Sequence, residues 1–347
     1  MSMRKPAMSP WWAVVLLFAA TTAWASEPVP GDSNAEPDAD VRVLLARMGE
    51  AMRGRDYEGT FIYRRADHVD TLQVFHRGSG GRERERLITL AGKAREIVRD
   101  GDDVRCILPD RGKVLVGHQH SRKPFPTALF DNPEALFPLY RFERDGGERI
   151  AGRDAEVIQV SPRDAYRFGH RLWVDSEAGL LLRSDVIDEA GEIVEQIIFT
   201  NVDVNAQVDD AELAPSTDVS TFAEVPDSAA EVMLTLPAWS GDLPPGYQLI
   251  KRRQRHVGAD QVAVEHLLFS DGLSSVSVFI DPAPERDDLL QGDTRHGAAS
   301  AFGAYHDGRH VTVVGEVPVA TVEFIGARLT GGETADVAGA GPAGTAQ

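Results

Sequence analysis

The 347-residue chain holds one cysteine, Cys106. A single thiol cannot close a disulfide within its own chain, so stability has to come from packed apolar cores. Cys106 lies in "VRCILP", where Val104, Cys106 and Leu108 share one side of an alternating segment and Arg105 and Ile107 the other. A thiol among apolar neighbours behaves as a small hydrophobe, and a nucleophilic thiol needs a cation or histidine on its own side. The chain also lacks H-E-x-x-H, G-x-S-x-G and G-x-x-x-x-G-K-[ST], which would signal zinc proteolysis, serine hydrolysis or nucleotide binding. His118 and His120 share one face of a segment, but no carboxylate or third histidine follows at ligand spacing. Gly339, Gly341 and Gly344 spell a literal G-x-G-x-x-G, but no helix can follow before the sequence stops. The expectation is no catalytic residue, no metal and no cofactor. Nothing in these motifs demands an enzyme, and a carrier, a sensor or an adaptor would each fit them.

Positive charge is scarce as well. Lys and Arg number 36 against 54 Asp and Glu, a formal net charge of −18. So acidic a chain is a poor general ligand for nucleic acid or anionic membrane. Long apolar runs are scarce too. The clearest, "WWAVVLLFAA" at 11–20, is too short to span a bilayer comfortably. Arg4 and Lys5 precede it and Ala23-Trp24-Ala25 follows, so residues 1–25 read as a signal peptide. No cysteine stands just after the apolar run to carry a lipid, none occurring before Cys106, so a soluble, exported protein is expected. The remainder is long enough for two ordinary cores.

Residues 203–231 carry eight acids and neither Lys nor Arg, with Pro215 and Pro226. They read as a self-repelling, partly extended linker. Residues 331–347, rich in Gly and Ala, read as a disordered tail. Two folded blocks remain. The first, 26–202, opens with a helix whose apolar face is Val41, Leu44, Leu45, Met48 and Met52, with Asp40 as its cap. Alternating segments follow: "GTFIYRR", "TLQVFHR", "RERLITL", "AREIV", "VRCILP", "KVLVGHQH", and later "YRFGHRLWVD", "LLLRSDVID" and "EIVEQIIFTNVDV". Short connections, including Asp100-Gly101, make sequential strands antiparallel neighbours. The expected class is α+β: a curved antiparallel half-barrel with covering helices, a flexible linker, and a smaller C-terminal α/β domain over 232–330. That second block shows strands in "YQLIKRRQRH", "VAVEHLLFSDG", "LSSVSVFIDP" and "RHVTVVGEVP". A last helix starts near Pro318 and buries Val322, Ile325 and Leu329.

Residues 119–143 break the pattern. Four prolines exclude a long helix or a central strand. Phe125, Phe130, Phe137, Tyr140 and Phe142 nonetheless make the segment strongly apolar. Either it plugs the concave face as core, or the plug yields to an apolar guest. The basic runs "RERER" and "KRRQR" read either as solvated strand faces or as docking surface for an acidic partner.

Several strings resemble the MucB/RseB family: "YEGTFIYRR", "ERERLITLAGKAREIVRDGDDVRCILPD", "RLWVDSEAGLLLRSDVIDEAGEIVEQIIFT", "LPPGYQL", "VEHLLFSDGLSSVSVFID" and "HVTVVGEVP". They run in order from about 42 to 328. The resemblance implies a periplasmic regulator of the envelope-stress sigma factor, with a half-barrel similar to lipoprotein carriers. It implies binding to the periplasmic part of a membrane-spanning anti-sigma factor (RseA/MucA type), which is thereby shielded from proteolysis. Release by lipopolysaccharide, other lipid or outer-membrane polypeptides would follow. The alternative is a periplasmic lipid or lipoprotein carrier using the same concavity. The inward residues expected to meet an apolar ligand are Phe61, Tyr63, Phe75 and Trp173 from the strands. Phe125, Phe130, Phe137 and Tyr140 would join them from the plug. Arg252, Arg253 and Arg255 are expected at the partner surface.

Overall fold

The computed structural model describes residues 39–118, 129, 132–226, 230–231, 243–257, 262–282, 289–306 and 308–330. The expected signal peptide at 1–25, the expected tail at 331–347, Phe125, Phe130 and His120 lie outside these residues. From Glu36 onward both sheets belong to one compact unit.

Helix α1 (Ala39–Gly54) precedes strands β1 (Tyr57–Arg65), β2 (His68–Arg77), β3 (Arg84–Thr89), β4 (Glu96–Asp100), β5 (Asp103–Leu108) and β6 (Lys113–His118). After a 3₁₀ turn at Pro133–Leu136 come β7 (Tyr140–Ile150), β8 (Arg153–Pro162), β9 (Gly169–Asp175), β10 (Leu181–Ile187) and β11 (Ile193–Asp203). With β12 (Ala223–Pro226) these make a twelve-stranded curved, unclosed sheet in the order β12-β6-β5-β4-β3-β2-β1-β11-β10-β9-β8-β7. It is two antiparallel meanders joined where β1 pairs with β11. Gly101, at φ +59, makes the tight β4–β5 turn. α1 lies on the inner face and buries Val41, Leu44, Leu45, Met48 and Met52, the stripe its spacing predicts. Asp40, expected as the cap, sits inside the first turn, because the helix already begins at Ala39.

The second sheet holds β13 (Ala230–Glu231), β14 (Gln248–Val257), β15 (Val262–Ser270), β16 (Ser275–Asp281), β17 (Gly292–His296), β18 (Ala299–His306) and β19 (Arg309–Gly315). Helix α2 (Val319–Thr330) covers it, with Val322 and Ile325 buried and Leu329 packed beside them.

Three features differ from the sequence reading. Tyr140 and Phe142 belong to β7, an edge strand, and not to the plug; the acidic run "ERDGGER" between its apolar ends hides its alternation. β17 and β18 occupy a stretch rich in small residues where no strands are expected. Residues 204–226 are no free linker. Val208 and Leu213 are buried, and Arg86 Nη1 donates to the Glu212 carbonyl at 2.8 Å. Ser216 donates from its backbone N–H and hydroxyl to Glu96, and β12 then pairs parallel with β6. The acids in this strap do not simply repel one another, because arginines on the outer face of β2, β3 and β5 pair with two of them, Asp210 and Glu224.

Candidate functional site

Strand register decides which aromatics share the inner face. In β1, Phe61 and Tyr63 stand opposite Phe199 and Ile197 of β11. Phe61 is fully buried, its ring 5.5 Å from that of Phe199. Phe137 and Tyr140 join the same core. Phe75 does not: it neighbours Val74, which pairs with Leu87 on the inner side, so Phe75 faces outward beneath the Arg86 guanidinium. Trp173 likewise falls in register with Arg183 and Val157, across from the row that continues Tyr63 through Ile197, Ser184 and Leu172. Its ring is buried under Arg183 at 4.0 Å and Arg171 at 5.3 Å, and its indole N–H donates to Glu148. Placing Phe75 and Trp173 on the inner face is therefore corrected. A one-residue offset reverses a strand's faces, and each aromatic shares its face with polar residues, Thr71, Gln73 and Arg77 in β2 and Arg171 and Asp175 in β9.

Across the inner face one row runs Val74, Leu87, Ile97, Cys106, Leu115 and Val225, each in register with the next. Val74 and Leu87 are buried, Ile97 and Cys106 half-buried, and Leu115 and Val225 exposed. Apolar surface thus leads without interruption from the core to the sheet edge, and Cys106 is one of its steps. Among the described residues no group of three or more His, Cys, Asp or Glu is placed to hold a metal ion.

The second cluster was not legible in the sequence. Arg167, between β8 and β9, is fully buried and reaches across to the second sheet. Its Nε donates to Asp271 Oδ2 at 2.7 Å, and its Nη atoms donate to Asp164 and to the Pro245 carbonyl. Asp271 Oδ1 accepts the backbone N–H groups of Leu273 and Ser274 at 2.9 and 2.7 Å, and Tyr140 donates its hydroxyl to Oδ2. Tyr247 hydrogen-bonds Ser274, and the Arg167 guanidinium lies 5.2 Å from the Tyr247 ring. Burial and the negative Asp271 push both tyrosine hydroxyls well above their ordinary pKa. His170 lies against Tyr140, and burial depresses its pKa to about 4. Around this hub Thr321 of α2 donates to the Tyr166 carbonyl, Arg295 pairs with Asp188 and Glu189, and Arg65 pairs with Glu316. Gly246, at φ +81, lets the backbone approach Leu139; a Cβ there would lie 2.5 Å from the leucine side chain. Asp271 begins a D-G turn in the sequence, and nothing local ties it to an arginine 104 positions away.

The three arginines expected at the partner surface lie on β14. Arg252 pairs with Glu265, Arg253 is nearly buried at 9% exposure, and the Arg255 side chain lies outside the described set.

Comparison with known proteins bears on what this arrangement does. Residues 40–217 match the family model for the MucB/RseB N-terminal domain, and residues 236–330 match that for the MucB/RseB C-terminal domain. The sigma factor AlgU regulatory protein MucB of Pseudomonas aeruginosa is 32% identical over 294 residues, covering 83% of this chain and 90% of that protein. The sigma-E factor regulatory protein RseB of Escherichia coli K12 is 28% identical over 313 residues, covering 89% and 96%. Among solved structures, MucB in complex with MucA(peri) superposes with a TM-score of 0.63 at 29% identity, covering 83% of this chain and 97% of that one. MucB in a second MucA/MucB complex from Pseudomonas aeruginosa gives 0.64 at 29% identity, covering 82% and 96%. These relatives are named as regulators, and their family is one of binding proteins and not of enzymes. Both folded blocks, in order and over most of their length, place this chain in the MucB/RseB family.

Proposed function

We propose that this protein regulates a sigma factor from the periplasm by binding the exported segment of a membrane-spanning anti-sigma factor. Binding shields that segment from proteolysis, and an envelope-stress ligand releases it. The observation that carries the reading is the joint one: two sheets locked through a buried hub, in a chain whose solved relative is described as a complex with MucA(peri). A ligand frees the partner only to the extent that it prefers the released state. We assign the apolar part of that ligand, such as an acyl chain of lipopolysaccharide or other lipid, to the row through Ile97, Cys106, Leu115 and Val225. There the inner face grades from core to solvent. Phe61, Tyr63, Phe137 and Tyr140 form the packed floor behind it. Arg252 and its pairing with Glu265 lie on the second sheet as a charged contact for the partner.

The test is a protection assay. The purified protein is mixed with the anti-sigma factor's exported segment and a protease, with and without lipid. Slower cleavage that lipid restores supports the reading, and Leu115→Asp should blunt the lipid effect while the fold survives. Recovery of lipoproteins alone in a pull-down would favour the carrier reading. A segment cleaved at the same rate with and without this protein would end the proposal.

A further inference from the structure

A second cleft lies on the outer face, away from the apolar row. It has a volume of about 580 Å³ and is lined by Arg77, Ser79, Gly80, Arg82, Arg84 and Asp100. Three guanidinium groups reach it from the end of β2, the turn after it and the start of β3. Asp210 of the strap meets two of them. Its Oδ1 accepts from Arg77 Nη2 at 2.5 Å and from Arg84 Nη1 at 2.6 Å, although Asp210 stands 133 and 126 positions from them. Those bonds hold the Asp210 carboxyl below its usual pKa, yet its side chain is 78% exposed. Arg82 approaches Asp100 at 2.6 Å, while the buried Nε of Arg84 has no hydrogen-bond partner and lies 3.7 Å from the same carboxylate.

The arithmetic of donors decides what fits. Each guanidinium offers five N–H groups, and the shared Asp210 oxygen, the Val208 carbonyl met by Arg77 and the Asp100 carbonyl and carboxylate met by Arg82 use only part of them. A phosphate group brings three acceptor oxygens and a charge of about −1.5 to −2, and it matches the arginine fork. An exposed ion pair contributes little net stability because water resolvates both charges, so the Asp210 carboxylate is readily exchanged. We propose that this cleft binds a phosphate-bearing anion and that Asp210 is the internal competitor occupying its place. The claim stands apart from the regulatory reading, since it needs neither the anti-sigma factor nor the apolar row. Occupancy detaches Asp210 while Glu212, Leu213 and Ser216 keep the strap on the sheet.

The experiment is calorimetric titration of the full chain with two probes. One is inorganic phosphate, and the other is phosphatidylcholine vesicles with and without phosphatidic acid. Saturable binding of free phosphate identifies a small soluble anion, whereas binding only to the phosphatidic acid vesicles identifies a lipid headgroup. In either case Asp210→Asn should tighten binding about 3- to 10-fold by removing the competitor, and Arg84→Gln should weaken it about 10-fold or more. Arg105→Gln, which alters an exposed arginine beside Glu224 and outside the cleft, should change nothing. Melting curves matching the parent's show that the variants fold. Failure to bind either probe overturns the proposal, and so does binding that Asp210→Asn and Arg84→Gln both leave unchanged.

Discussion

Two contacts bring distant parts of this chain together by pairing arginine with aspartate, and they differ most in burial. At the junction of the sheets, Arg167 and Asp271 have side chains 0% exposed. On the outer face, Arg77 and Arg84 hold Asp210 with the carboxylate largely in water. The geometry is similar, with bonds of 2.7 Å in the first and 2.5–2.6 Å in the second. The consequences are not. In water either charge of the outer pair can be resolvated at little cost, so that contact is an exchangeable one. In the junction neither charge has an alternative partner in water, so separating the sheets there means leaving both unsolvated or admitting water to the hub. Buried charge makes the junction all-or-none, whereas exposed charge makes the strap adjustable.

The largest effect follows from removing half of the buried pair. Asp271→Ala leaves the Arg167 cation short of its counter-charge and orphans the Leu273 and Ser274 N–H groups. A loss of about 3–5 kcal/mol is expected in the first transition of a urea melt. Arg167→Met combined with Asp271→Leu should recover part of it, because no fully buried charge is left without a counter-charge; Asp164, 24% exposed, can turn to water. A loss below about 1 kcal/mol for the single variant, the value typical of an exposed pair, would break the comparison.

Next is a dependence on pH. His170 is buried beside the hub, with Tyr140 and Asp271 the groups nearest its ring, and its folded pKa of about 4 lies below the ordinary 6.5. The folded state therefore binds this proton less readily than the unfolded chain. The resulting stability is complete above about pH 6.5 and is lost as pH falls towards 4, by about 3 kcal/mol in all. The depressed carboxyls of Asp175 and Asp188 act lower, from their ordinary 3.8 downward, so the two windows separate. Urea midpoints measured between pH 7 and pH 4.5 should drop in the parent and stay nearly level in His170→Phe. Equal slopes in both would remove His170 from the account.

Much of the fold can be read directly from the sequence, and the junction cannot. α1 and α2 bury the residues their 3.6-residue spacing selects, and "GTFIYRR", "VRCILP" and "LLLRSDVID" become strands as their alternation requires. These are local signals. Phe75 and Trp173 are misplaced because each is an aromatic on an otherwise polar face: Leu72 and Val74 in β2, and Leu172 and Val174 in β9, mark the inner side, and the aromatic alternates with them. The strap is misread for a related reason: its acids repel only if their partners are ignored, and Arg77, Arg84, Arg86 and Arg105 lie on strands far back in the chain. Arg167 in "YRFGH" and Asp271 in "SDGLSS" look like ordinary turn and strand-end residues. Their pairing is a property of the packed sheets.

A third perturbation tests the junction through shape instead of charge. Gly246→Ala forces a side chain into left-handed backbone and presses its Cβ towards Leu139. A cost of about 1–2 kcal/mol is expected from the backbone alone. Leu139→Ala in the same chain should relieve the contact and leave only the backbone part. If the double variant is no better than the single, Leu139 yields freely and the junction is less tightly packed than the close approach indicates.

The smallest effect belongs to the junction's rim, and it sharpens the comparison most. Arg295 meets Asp188 at 2.9 Å and Glu189 at 3.2 Å, and its guanidinium also lies 5.3 Å from the Phe168 ring. Its side chain is 29% exposed. If membership of the junction governed energy, Arg295→Gln would behave like Asp271→Ala. If burial governs, it should cost less than about 1 kcal/mol, and the difference from the parent should shrink as salt rises from 50 mM to 500 mM. Asp271→Ala should keep its deficit over the same range, because mobile ions do not enter a sealed hub. Two variants in one interface, one screened by salt and one indifferent to it, would show that water access sets the strength of each contact.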